Sequence, residues 1–190
     1  MCAGAHKSRL FTIGLRSYYL YMAHEPRLTR ELRLLLHGQR VAALGTLAAH
    51  GAPQVSMVPY AIVSGTPCLV IHISSLAAHT RNLQTSPDVS LLVMRPEVAG
   101  EPVHALPRAT LEGRADIAQP QSVLWEACRA AYLARFPEAE PMTLLGDFMF
   151  VAIQVGSARQ VAGFGAARSV DQAELLRILK RGPGPISRRS

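Results

Sequence analysis

RVAALGTLAAHGAPQVSMVPYAIVSGTPCLVIHIS, from Arg40 to Ser74, decides the fold. RVAALGTLAA reads as a strand, and His50-Gly51-Ala52-Pro53 as a tight connection. QVSMVPYAIV then alternates, with Val55, Met57 and Pro59 on one side and Ser56, Val58 and Tyr60 on the other. Ser64-Gly65-Thr66-Pro67 is a second turn, and CLVIHIS a third strand. Three strands joined by connections this short pair as an antiparallel meander, because a parallel crossover needs a dozen or more residues. Pro59 inside a strand pattern marks an edge or a bulge, where a missing amide donor is tolerated.

Downstream, Ser74 to Leu83 is helix-forming and is closed by Pro87. Val89 to Arg95 is a fourth strand, Pro96 to Ala105 a Pro/Gly-containing loop, and Pro107 to Ile117 a long fifth strand. Pro120-Gln121-Ser122 opens a helix over Val123–Phe136 that Pro137 stops. Phe148–Val155 and Ala158–Gly163 read as sixth and seventh strands, and Val170–Lys180 as an amphipathic helix. Upstream, Leu28, Leu32, Leu35 and Leu36 have helical spacing before Gly38. Closely spaced strands with one helix after the third and another after the fifth predict a β-barrel with accessory helices (α+β). Closure removes exposed edges. The expected organisation is a basic extension over 1–26, a barrel domain over 27–168, a C-terminal helix over 169–181 and a disordered tail over 182–190.

Composition limits the function classes. The chain has 190 residues, 49% hydrophobic and 17% charged, which is a folded composition. Runs such as Val89–Met94 fall far short of the roughly 18 apolar residues of a membrane span. Cys2, Cys68 and Cys128 are scattered and odd in number, which suits a reducing, cytoplasmic setting. The net charge of +7 resides in the ends: residues 41–179 carry nine basic against eleven acidic side chains. No stretch interleaves Arg with aromatics, so the charge argues against nucleic acid. Residues 1–25 are Arg-rich and acid-poor, as a mitochondrial presequence is, but a loosely attached extension is the preferred reading.

Chemistry concentrates in Ile71–Asn82. There is no G-x-S-x-G, H-E-x-x-H, P-loop or C-x-x-C, and the seven histidines are dispersed, with none beyond His104, so no metal site is expected. After Ile73, Ser74 and Ser75 lead into a helix bearing His79, Thr80, Arg81 and Asn82. Hydroxyls, an imidazole and a guanidinium beside unpaired helix amides suit a phosphate. A serine cap and a solvated arginine explain the same residues, and spacing leaves both readings open.

Four segments occur in one order: GAPQVSMVPYAI, LVIHISSLAAHTRNLQTSPDVSLLV, ALPRATLEGRADI and GDFMFVAIQVGSARQVAGFG. Together they resemble the FMN-binding split-barrel proteins related to pyridoxamine 5'-phosphate oxidase, nearest the haem-utilisation (HugZ-type) branch, over about Arg27–Arg168. The resemblance implies a split antiparallel β-barrel that binds FMN at a homodimer interface. It assigns the phosphate to His79, Arg81 and Asn82, with Ser74, Ser75 or Thr80 adding donors. The flavin ring would lie along Gln54, Val55, Ser56, Met57 and Val58, with His72 and Ile73 at the end of the next strand. Arg108 and Phe164 would come from the partner subunit, though an Arg on a strand is equally an ion-pair partner. The implied function is FMN-dependent oxidoreduction of a small-molecule substrate or electron donor. The alternative is a haem- or flavin-binding haem-utilisation protein without oxidase turnover.

Three departures refine this. The family's Arg-Lys pair is replaced by Ala78-His79, which weakens the phosphate clamp. GAARSVDQAELL stands where a pyridoxamine phosphate oxidase carries a substrate-binding Arg and His, which argues against that activity. The haem-degrading members carry a ligating histidine near the C-terminus, where this chain has none; His24, His37 or His50 would have to substitute.

Overall fold

The structure is a computed structural model that describes residues 25–63 and 67–182. Of the expected extension over 1–26, turn over 64–67 and tail over 182–190, residues 1–24, 64–66 and 183–190 lie outside the described residues. Helix α1 spans Arg27–Gly38 and turns Leu32 and Leu36 fully inward, as their spacing requires. Strands β1 (Val41–Leu47), β2 (Pro53–Val63) and β3 (Cys68–Ser74) form the expected meander. Helix α2 (Ala78–Thr85) follows, then β4 (Asp88–Met94), a 3-10 turn at Val103–Ala105 and β5 (Arg108–Ile117). Helix α3 (Val123–Arg135) begins at Ser122, whose hydroxyl accepts from the Trp125 amide at 3.1 Å.

A 3-10 segment at Pro137–Leu144 leads to β6 (Phe148–Val161), β7 (Ala167–Val170) and α4 (Gln172–Lys180). The sheet runs β3-β2-β1-β4-β5-β6-β7, and β3 also pairs with β6. Strands β1–β6 therefore close into a six-stranded antiparallel barrel to which β7 is appended.

The two strands expected over Phe148–Gly163 are one. Gly156-Ser157 does not turn the chain: Glu112 pairs with Ser157 and Gly113 with Val155, which leaves Gly156 as the extra residue of a bulge. The glycine at 113 is obligatory, since a Cβ there would lie 2.5 Å from the Gln154 carbonyl oxygen. The last helix starts at Gln172, because Ala167–Val170 pairs with β6 and Asp171 caps the helix by accepting from the Glu174 amide at 2.8 Å.

Two apolar clusters hold this together. Leu44, Val58, Tyr60, Leu69, Ile71, Leu91, Leu111 and Ile153 fill the barrel and continue into α1 and α4. Outside it, Cys68, Val70, Phe150 and Ala152 pack against Cys128, Tyr132 and Phe136 of and beyond α3. The Tyr60 hydroxyl donates to the Leu36 carbonyl at 2.6 Å, and Arg135 donates to the His37 and Gln39 carbonyls, which fixes the end of α1.

Candidate functional site

The barrel is closed incompletely between β2 and β3. Their ladder holds only from Tyr60↔Ile71 to Val63↔Cys68. Pro53–Pro59 pair with β1 alone, and His72–Ser74 with β6 alone. Two strand edges thus diverge and leave a gap. The Tyr60 amide donates to the Arg40 carbonyl at 3.0 Å, toward β1. Amides alternate along a strand, so those of Val55 and Met57 face the gap, and so does the ring of Pro59 where a donor would have been. The expectation of an edge at Pro59 holds at this local level, although β2 is interior to the sheet.

Helix α2 bridges the gap. On the β3 side, Thr80, fully buried, donates its hydroxyl to the Ser74 carbonyl at 2.6 Å. On the β2 side, the Asn82 amide donates to Gln54 Oε1 at 2.8 Å and to Thr46 Oγ1 at 3.0 Å. His79 Nδ1 lies 3.0 Å from Ser56 Oγ. Burial lowers the His79 pKa, which favours the neutral ring.

No serine caps α2. The cap position is Ala77 and carries no side-chain bond. Ser74 Oγ instead accepts from the Leu76 amide at 3.2 Å and donates to Asp147 at 3.0 Å, while the Ser75 amide donates to the Asp147 carbonyl at 2.7 Å. Neither the Ala78 nor the His79 amide meets an acceptor among the described residues. The Arg81 guanidinium folds back over this end and donates to the Leu76 carbonyl at 3.0 Å. A cation at the positive end of a helix is disfavoured unless an anion joins it. The mouth of α2 is therefore open, cationic and rich in donors.

The other expected site residues separate into groups. Val55 and Met57 are 70% and 66% exposed, whereas Val58 and Ile73 are buried in the barrel. His72 is 7% exposed, its ring centroid 4.5 Å from Phe150, 5.1 Å from Phe148 and 5.6 Å from Tyr132. Burial pushes its pKa down to about 4, and Nδ1 has no hydrogen-bond partner among the described residues. Arg108 donates to the His104 and Leu106 carbonyls at 3.4 and 3.0 Å. Phe164 is 90% exposed beyond the end of β6. Ser74 pairs with Phe148 at the start of β6 and Arg108 with Val161 at its end, some 40 Å of strand path away. Within one chain, Arg108 and Phe164 do not meet the α2 mouth.

Sequence reasoning missed Thr46 and Asp147, which anchor α2 and the turn before it. Their partners lie 36 and 73 positions away, beyond any local periodicity. It also missed the exposed Leu76, Leu144 and Leu145, which lie on the two segments joined by the bond from the Ser75 amide to the Asp147 carbonyl.

A six-stranded barrel open along one seam, with a helix mouth set into that seam, is the split-barrel architecture. The profile of the pyridoxamine 5'-phosphate oxidase family matches residues 28–162, and the chain belongs to that family. It is similar to the heme oxygenase HutZ of Vibrio cholerae, at 30% identity over 79% of this chain and 85% of HutZ. The chloroplastic heme oxygenase HOZ of Arabidopsis thaliana is 35% identical over 79% of this chain, which spans 46% of HOZ. Among solved structures, the heme binding protein from Mycobacterium smegmatis superposes with a TM-score of 0.72 at 29% identity, covering 80% of this chain and 61% of that one. No described helix is long and apolar enough to cross a membrane.

Proposed function

We propose that this protein binds haem in the gap between β2 and β3 and acts in haem handling, as a carrier or as a haem-degrading enzyme. The observation that carries this reading is the chemistry of the gap. Apolar Val55 and Leu76 and a donor-lined strand edge suit a flat, largely apolar body, while Arg81 and the free amides of α2 suit anionic arms. The similarity to HutZ over most of that protein's length supports haem over other flat ligands. Bound haem would supply an iron able to activate oxygen; the chain's own residues bind and orient it and limit the access of water. Titrating the purified chain with hemin, monitored by absorbance, tests this: a saturable Soret shift at a defined stoichiometry is expected, and a spectrum equal to free hemin would contradict it.

FMN-dependent oxidoreduction, the main implication of the sequence resemblance, is the second reading. It is favoured by one observation, the mouth of α2, whose donors suit a phosphate as well as they suit carboxylates. Quenching of FMN fluorescence by the chain, unaffected by competing hemin, would favour it over haem.

In either case the working unit is a homodimer. Val41, Leu47, Val55, Met57 and Met94 are exposed on one face of the adjacent strands β2, β1 and β4, more apolar surface than a lone sheet face ordinarily leaves in water. A second copy on that face is also the means by which Arg108 and Phe164 reach the site.

A further inference from the structure

We propose that His79 supplies the side-chain ligand to the haem iron in this protein. The inference rests on the haem reading above and deepens it. His79 stands at the gap, on the helix that bridges it, and Ser56 Oγ holds its Nδ1 at 3.0 Å. When Nδ1 carries the proton and donates to Ser56, the lone pair of Nε2 is left free, and Nε2 has no partner among the described residues. A second hydrogen bond that sets tautomer and ring orientation is the usual support of a metal-ligating imidazole.

The other described histidines fit less well. His37 Nε2 is engaged with the Ile178 carbonyl at 3.2 Å. His72 is enclosed by aromatic rings on the outer side of β3, beneath α3. His50 lies in the exposed β1–β2 turn, and His104 in the exposed turn before β5, at the end of that strand remote from α2.

The test uses the full chain loaded with hemin. The ferrous nitrosyl complex is examined by electron paramagnetic resonance, where a nitrogen ligand opposite the nitrosyl adds its own splitting. The wild type is expected to show that splitting. His79→Ala is expected to lose it while still taking up hemin, and added imidazole to restore it. Ser56→Ala is expected to keep the splitting but shift the iron–histidine stretch in resonance Raman spectra, because only the second nitrogen's partner has gone. His24→Ala, His50→Ala and His104→Ala are expected to match the wild type. Should His79→Ala fold poorly, the wild type labelled with nitrogen-15 in histidine decides instead: an unchanged splitting overturns the assignment. A His79→Ala chain with wild-type spectra overturns it alone, whereas a wild-type chain that takes up no hemin overturns the haem reading as well.

Discussion

Replacing Asn82 with Ala tests how α2 is held across the gap. Asn82 is 8% exposed, and its amide makes two hydrogen bonds of 2.8 and 3.0 Å, to Gln54 and Thr46. Each neutral hydrogen bond contributes about 1 kcal/mol net, and an acceptor left buried without a partner adds a further cost. Thr46 is itself buried, and its remaining contact, to the Gln54 carbonyl, is long at 3.5 Å. The expected loss is therefore about 2–3 kcal/mol, which for a chain of this size lowers Tm by roughly 5–10 °C. Differential scanning calorimetry of wild type and Asn82→Ala measures it directly. Gln54→Ala should cost less, because Gln54 is only half-buried, and the double variant should fall short of the sum by about 1 kcal/mol. A variant melting within a degree of wild type would refute the reasoning and show that α2 is held without its β2-side hydrogen bonds, by Thr80 and its apolar contacts.

Arg81→Ala should weaken binding of the anionic ligand by about 1.5–3 kcal/mol, tenfold or more in Kd, without moving Tm, as read by titration with hemin and separately with FMN. Gly113→Ala should fail to fold or melt far lower, because the new Cβ meets backbone 2.5 Å away; soluble yield and calorimetry check this. His72 is neutral in the folded chain, its pKa lowered to about 4 by burial, and regains an ordinary value near 6.5 on unfolding. Its stabilising contribution is complete above about pH 6.5 and is lost as pH falls toward 4, so His72→Phe should flatten the acid side of a Tm–pH profile. Met57→Glu should shift the proposed dimer toward monomer in sedimentation velocity, since a second copy on that apolar sheet face would bury the charge; an unchanged dimer would place the interface elsewhere.

Strand periodicity made the barrel legible. The alternation set Ser56, Val58 and Tyr60 on one side of the second strand, and of these Val58 and Tyr60 are buried in the barrel; the helix after the third strand appears where Pro87 and the serines bracket it. Gly156 misled because a glycine followed by a serine marks a turn and a bulge equally well; only the pairing of Glu112 and Gly113 across the ladder distinguishes them. The four residues of β7 were hidden because pairing with β6, rather than local propensity, makes them a strand. The sequence singled out Ile71–Asn82 and residues 54–58, and the structure brings these two stretches side by side. It did not reveal that Asn82 and Thr80 point inward to hold α2, since their partners are settled by which strands diverge. The polar roles within one short helix are divided by its 3.6-residue turn: His79 and Asn82 reach β2, Thr80 reaches β3, and Arg81 alone points out to the mouth.

Hydrogen exchange of the backbone amides, with and without saturating hemin, tests the central claim most directly. Slowed exchange at residues 54–58 and 77–82 is the result expected of a ligand seated between the diverging strands and against the helix mouth. Protection that leaves both segments unchanged while hemin is bound would contradict it.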